Sequence, residues 1–213
     1  MVGIRPKCLG DKASKGLSHM VFERLTFSYN IQKLQDFLLN TVIPIGDPIC
    51  PIAPGFGGWS ITSGNGTWQD GWRESNETVK APHKYNVPTE LCVGYMKEVL
   101  EDIKSKGLQP SKVRINNLPP HSKSTIHRDY PSNTFKSRLH IPLLTNEQCC
   151  HILYNNNGVE QTRMHMKADG SVYMFWANIK HQYINESTQN RYHIVMDVID
   201  TMKITENFKC TTQ

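Results

Sequence analysis

His127-Arg128-Asp129 sets an imidazole and a carboxylate two residues apart. On a strand, residues i and i+2 project to the same face. Both side chains then aim into one space, while Arg128 points away. Two ligands from one strand cover adjacent positions around a metal ion, and a third must come from elsewhere. His181, after the turn-like Ala177-Asn178-Ile179-Lys180, is placed to supply it from the start of a strand across a barrel. Two histidines and one carboxylate on one side of an ion leave three positions open, the arrangement of non-haem Fe(II) oxygenases. His-x-Asp alone carries little weight, since a strand histidine is more often a packed residue than a ligand.

The weight comes from what surrounds it. Arg191 follows His181 by ten residues, in Arg191-Tyr192-His193. On the next antiparallel strand it would return to about the depth of the metal, where a guanidinium can clamp a carboxylate bidentately. His193, at i+2 from Arg191, shares its face. Arg138 and His140 form a second cationic i, i+2 pair on the strand after the His-x-Asp. Open metal positions beside an anion-binding group describe a cosubstrate with two carboxyl groups. Its keto end would chelate the iron and its far carboxylate would meet an arginine.

These groups need a scaffold. From Lys112 to about residue 200 the hydrophobic pattern has period two, with candidate strands at 112–118, 124–129, 137–144, 150–154, 162–167, 171–176, 182–186 and 191–198. Turn signals such as Asn155-Asn156-Asn157-Gly158 and Ala168-Asp169-Gly170 separate them. So many short strands after a helical N-terminal half predict a jelly-roll, a mainly β fold with N-terminal helices. Residues 1–18 read as a flexible lead-in and 19–213 as one domain, with 19–110 supporting a β core at 111–200. A strand over 21–29, a helix capped by Asn30 and ended by Pro44 and Gly46, and a helix opened by Pro88-Thr89-Glu90 are expected before the core. Between 48 and 87 glycine, proline and tryptophan are dense. Trp59, Trp72 and Arg73 are the candidate substrate contacts there, and a few hairpins packed on the core are an equal expectation.

Composition narrows the function classes. The chain has 213 residues, 38% hydrophobic and 9% aromatic, enough for a real core. A net charge of +5 is spread without runs, so a nucleic-acid interface is not expected. The N-terminus lacks a signal-like apolar stretch and no run approaches a membrane span, which predicts a cytoplasmic protein. The six cysteines show no Cys-x-x-Cys spacing and are expected to be reduced.

His127-x-Asp129, the run Ser137-Arg138-Leu139-His140-Ile141-Pro142-Leu143, and His181 with Arg191 ten residues on together resemble the aspartyl/asparaginyl β-hydroxylase family. The resemblance covers roughly residues 112–200. It implies a double-stranded β-helix of cupin-like type and dependence on Fe(II), 2-oxoglutarate and O2. It implies that His127, Asp129 and His181 ligate iron and that Arg191 binds the distal carboxylate of 2-oxoglutarate. Arg138 and His140 would be further cosubstrate contacts, and Asn116 would occupy the position of a small polar one. The implied reaction is hydroxylation of an unactivated C–H, coupled to decarboxylation of 2-oxoglutarate to succinate and CO2. The substrate would be amino-acid-like, a protein Asp/Asn side chain or a free amino acid. The animal enzymes that name the family lack the carboxylate ligand, as do iron halogenases, so Asp129 favours hydroxylation over halogenation. Two other readings are a barrel of the same kind that binds a ligand without oxygen chemistry, and an oxygenase acting on a nucleobase.

Overall fold

The computed structural model describes residues 22–49, 57–69, 84–130 and 137–198. The lead-in at 1–18, together with Trp72 and Arg73, lies outside the described residues. The chain opens with β1 (Phe22–Ser28) and α1 (Ile31–Phe37). The Asn30 side chain accepts from the Lys33 amide at 3.0 Å, capping the helix as expected. Leu34, Phe37, Leu38 and Val42 recur at helical spacing and are buried. The last two lie on a wide π turn, 38–42, that continues α1. Pro44 and Gly46, the latter at φ +138°, end the segment.

Three short strands and a second helix follow. They are β2 (Gly57–Ser60), β3 (Thr62–Ser63), β4 (Val87–Pro88) and α2 (Gly94–Ser105). The helix begins later than its sequence suggests. Thr89 is taken up elsewhere: its amide donates to Ile61 O and its hydroxyl to Ser60 O. Those bonds tie residue 89 to the β2–β3 connection before any helical turn can form. Met96, Val99, Leu100 and Ile103 then make one buried stripe, and Gly107 at φ +79° closes the helix.

The core consists of β5 (Pro110–Leu118), β6 (Ser122–Lys123), β7 (Ser137–Leu144), β8 (Cys149–Tyr154), β9 (Glu160–Met164), β10 (Ser171–Trp176), β11 (Lys180–Asn185) and β12 (Arg191–Val198). They form two antiparallel sheets, one ordered β1-β10-β7-β12-β5-β2 and the other β6-β11-β8-β9. Facing each other, these make a double-stranded β-helix, as expected. One expected strand is absent: 124–129 is irregular apart from a single bridge at His127.

The two faces of the six-stranded sheet are chemically opposite. One carries Val113, Ile115, Leu139, Ile141, Val172, Met174, Ile194 and Met196, which pack with α1 and α2 into one apolar core. Burial of each such side chain is worth about 1.5–3 kcal/mol. The other face looks toward the four-stranded sheet and carries Arg138, His140, His193 and Asp197, with Phe175 among them. Registers His140↔Val195, Asp197↔Arg138 and Phe175↔Arg138 hold these groups side by side. Across the gap stand His151 and Tyr183, paired in register on β8 and β11. An interior this polar is not needed for stability, because the apolar core lies on the other side of the sheet.

Trp59 belongs to that apolar core. It is 2% exposed, paired with Ile115 in register, with its indole N–H donating to Gly46 O at 2.8 Å. Its side chain therefore faces the helices and not the polar interior, which removes it from the substrate contacts expected above. Trp68 joins the same core, so the described part of the 48–87 segment is packed hairpin. Cys92 and Cys149 are free thiols, whereas Cys150 is disulfide-bonded, so the expectation of six reduced cysteines fails at Cys150.

Two stability effects follow. Trp59→Ala empties a large core site and should cost about 3–5 kcal/mol in urea unfolding; a loss below about 1 kcal/mol would place the indole outside the core. The second effect concerns His140, His151 and His193, whose pKa values lie well below that of ordinary histidine. Burial is the main cause in each, with repulsion from neighbouring cationic groups added. The unfolded chain takes up these protons near pH 6.5 and the folded chain does not. Stability is therefore full above about pH 6.5 and falls as pH drops below it, by up to about 1.4 kcal/mol per pH unit for each histidine. Urea titrations of chelator-treated protein between about pH 7.5 and 5.5 should show this slope, reduced by about a third in His151→Phe. A flat profile would contradict it.

Candidate metal and cosubstrate site

A pair of backbone hydrogen bonds builds the centre of the site. His127 N donates to His181 O at 3.0 Å, and His181 N donates to His127 O at 2.9 Å. Residues paired this way in an antiparallel bridge project their side chains to the same side. The two imidazoles consequently lie with ring centroids 4.5 Å apart. Asp129, two residues beyond His127, is held by its amide bond to Ala177 O at 2.9 Å. His181, the second residue of β11, thus lies at the start of a strand as its sequence position suggests, and it is a direct neighbour of His127 across one backbone bridge.

Each imidazole has one nitrogen fixed. His127 Nδ1 lies 2.8 Å from Thr125 O and His181 Nδ1 lies 2.7 Å from Ile179 O. A carbonyl can only accept, so both Nδ1 atoms carry a proton, and in the neutral ring each Nε2 is left with the lone pair that a metal would take. Those lone pairs converge on Asp129, with His127 Nε2 3.5 Å from Oδ1 and His181 Nε2 3.3 Å from Oδ2. The three ligand atoms lie within 4.8 Å of one another, and the fully buried His181 Nε2 has no hydrogen-bond partner. Two converging imidazole Nε2 atoms beside a carboxylate, one of them buried without a partner, fit a divalent transition metal of intermediate softness. The His127 side chain is 34% exposed and that of His181 fully buried, so the centre opens to solvent past His127. Arg128 points away, as expected, to Asn178 O and Asn156 Oδ1.

Burial alone would raise the pKa of Asp129. The Arg138 guanidinium, with Nη1 2.6 Å from Oδ2, together with the neighbouring His181 and His127, outweighs this and holds it well below the usual carboxylate range. Arg138 is also bonded through Nε to Asp197 Oδ1 at 2.7 Å, and the Tyr130 hydroxyl donates to Asp197 Oδ2 at 2.5 Å.

Arg191 is different. It is 5% exposed and has no carboxylate partner among the described residues. Burial pulls its pKa down to about 10, an unusual state for a guanidinium. It lies over the Tyr183 ring at 5.1 Å and donates through Nη2 to His193 Nδ1 at 2.7 Å. His193 Nδ1 is thus an acceptor. His140 Nδ1, 3.3 Å away, can donate to it, and the Tyr183 hydroxyl lies 3.4 Å from His140 Nε2. His193 Nε2 is buried without a partner. Asn116 lies on the same face, in register with His193 and Gly58, and its Oδ1 accepts from Arg114 Nε at 3.1 Å. A buried, unpaired guanidinium in a polar cavity fits an anionic ligand.

The sequence reading did not single out Tyr183, Asp197, Tyr130 or the interior position of His151. His151 sits 5.3 Å from the His181 ring and 4.7 Å from that of Tyr183, with both ring nitrogens unpartnered. Tyr183 and Asp197 stand at i+2 from His181 and i+6 from Arg191, so period two could have found them. His151 depends on the β8–β11 register, which has no local signal.

The comparisons agree with this geometry. Residues 63–201 match the family described as aspartyl/asparaginyl beta-hydroxylase. No curated protein matches the chain. Among solved structures, an oxidoreductase of the 2OG-Fe(II) oxygenase family from Burkholderia pseudomallei is similar at 11% identity, over 91% of this chain and 95% of its own, with a TM-score of 0.52. A prolyl hydroxylase from Trichoplax adhaerens, in complex with a hypoxia-inducible-factor peptide fragment, aligns at 14% identity over 92% and 90%, with a TM-score of 0.51. A Pseudomonas putida prolyl-4-hydroxylase gives 10% identity over 85% and 94%, with a TM-score of 0.50. At such identities these structures speak for the fold, and the family match carries the identity. The chain belongs to the aspartyl/asparaginyl β-hydroxylase family and is an oxygenase dependent on Fe(II), 2-oxoglutarate and O2.

Proposed function

We propose that this protein hydroxylates an unactivated C–H of an amino-acid-like substrate, either an Asp or Asn side chain in a peptide or a free amino acid. The observation that carries the reading is the pairing of two unsatisfied sets in one interior. Three ligand atoms converge with open lone pairs, and a buried guanidinium nearby lacks an anion.

His127, Asp129 and His181 would hold the iron. Arg191 would meet the distal carboxylate of 2-oxoglutarate, with His193 fixing the guanidinium edge. When bound, iron with 2-oxoglutarate and O2 supplies the oxidising power, and succinate and CO2 are the by-products. The chain's own groups bind and orient. The Tyr183 ring under Arg191 holds its plane, and His140 bridges Tyr183 to His193, so one network fixes the depth of the cosubstrate. The two sheets around this interior limit the approach of water to the side on which His127 is exposed. No general base is required, and none is assigned. Arg73 and Trp72 remain candidate substrate contacts from outside the described residues. The family name and the peptide held by the Trichoplax relative support an amino-acid-like target. No helix among the described residues is long and apolar enough to cross a membrane.

With Fe(II), ascorbate and a panel of free amino acids and Asp/Asn peptides, succinate should form from 2-oxoglutarate and rise with the true substrate. His181→Ala should abolish both metal binding and succinate formation. Arg191→Gln removes one partner of a buried charge pair, at about 2–5 kcal/mol, so KM for 2-oxoglutarate should rise roughly 30-fold or more. Succinate formation by neither wild type nor any substrate combination would favour a barrel that only binds.

A further inference from the structure

We propose that Arg138 is a positioning residue for the metal-ligating carboxylate and not a contact for the cosubstrate, acting within a buried chain Asp129–Arg138–Asp197–Tyr130. The inference rests on reading His127, Asp129 and His181 as the metal site.

The argument begins with what holds Asp129. It follows the isolated bridge at His127, in a stretch with no strand of its own, and its amide is tied to the neighbouring backbone by one bond, to Ala177 O. Such a backbone does not fix a side chain as a sheet does. Arg138 supplies the missing constraint. It sits inside β7, flanked in register by Asp197 on β12 and Phe175 on β10, so its own position is set by the sheet. From there Nη1 grips Asp129 Oδ2 at 2.6 Å and Nε grips Asp197 Oδ1 at 2.7 Å.

Asp197 in turn holds the segment at a second point. Its other oxygen accepts the Tyr130 hydroxyl, and Tyr130 is the residue after Asp129. The Tyr130 ring packs with Phe175 and Ala177. One buried carboxylate therefore tethers two consecutive residues of an irregular segment, Tyr130 directly and Asp129 through the guanidinium. All four members are nearly excluded from water: side chains of Asp129, Arg138 and Asp197 are 11%, 6% and 2% exposed, and Tyr130 is 3% exposed.

Charge separates the duties of the two arginines. Arg138 faces two carboxylates with one positive charge, and a third carboxylate would add repulsion. Arg191 faces none. The cosubstrate is therefore assigned to Arg191, and Arg138 is spent on the ligand. This departs from the role that the family resemblance implies for Arg138.

The test uses Co(II) alone as the probe, titrated by visible absorption without 2-oxoglutarate. Wild type should bind one ion and His181→Ala none; if wild type shows no His181-dependent binding, the metal reading itself falls. With that established, Arg138→Gln should raise the Kd for Co(II) about 10–100-fold, the usual size for a group orienting a metal ligand. Tyr130→Phe should raise it several-fold, and both should shift the Co(II) band. Arg138→Lys should recover part of the affinity. At saturating metal, KM for 2-oxoglutarate should stay within about twofold in Tyr130→Phe and Arg138→Lys, whereas Arg191→Gln raises KM and leaves the Co(II) Kd unchanged. A Co(II) Kd within twofold of wild type in Arg138→Gln, or a KM rise without a Kd change, overturns the proposal. If Arg138→Gln does not fold, the Kd and band of Tyr130→Phe decide alone.

Discussion

Two reciprocal backbone hydrogen bonds, between His127 and His181, determine where everything else in this site can be. Because the bridge is antiparallel, the side chains of the pair emerge on one side at close range. Asp129, two residues on, joins them by the simple alternation of extended chain. The bridge is isolated, and beyond it the segment is tied by single backbone bonds, Ser124 N to Tyr183 O and Asp129 N to Ala177 O, so the stretch that carries two of the three candidate ligands is held less firmly than a sheet strand. The protein compensates with carbonyls that fix each Nδ1 and with buried charges that fix the carboxylate. Imidazole tautomer and carboxylate orientation are thus settled before any ion arrives.

The same economy governs the arginines. Both are buried in one interior, and both carry the same charge, yet their surroundings give them different tasks. Arg138 is pinned between Asp129 and Asp197, and its pKa is raised well above its ordinary value because those charges outweigh burial. Among the described residues Arg191 has Tyr183, Cys149 and a neutral His193 near it and no carboxylate, and burial lowers its pKa. A cation in the second condition is incomplete without an anion. The molecule keeps it so by spending no carboxylate on it.

That arrangement is tolerable because the sheet divides its labour by face. Hydrophobic stabilisation is concentrated where the six-stranded sheet meets α1 and α2. The opposite face, with the four-stranded sheet and the 127–129 segment beside it, is free to hold five histidines, two arginines and two aspartates in one interior, a composition that would be costly in a core. Buried neutral histidines are the visible strain of this choice.

How much of this was legible beforehand differs from residue to residue. Period-two alternation fixed the strands 137–144, 171–176 and 191–198 to the residue, since each is buried on both faces and bounded by turn residues. The ligand types, their spacing and Arg191 could likewise be read, because chemistry limits which side chains can bind a metal or a carboxylate. Local pattern failed where a distant partner competed. Thr89 was claimed by Ser60 and Ile61 and delayed a helix, and Trp59 turned to the core because Ile115 stood opposite. The expected strand through His127 dissolved to a single bridge, and Arg138 met two carboxylates from other segments. Sequence by itself therefore determined which groups are the candidates for the chemistry and, the 124–129 segment apart, on which elements they ride. Register and pairing between strands decided which groups touch, since hydrogen bonds and ion pairs depend on neighbours far apart in the chain, as Arg138 and Asp197 are at 59 residues, Asn185 and Leu118 at 67 and Arg24 and Asp169 at 145. For that reason the two arginines, alike in sequence, were given their separate work only by the tertiary structure.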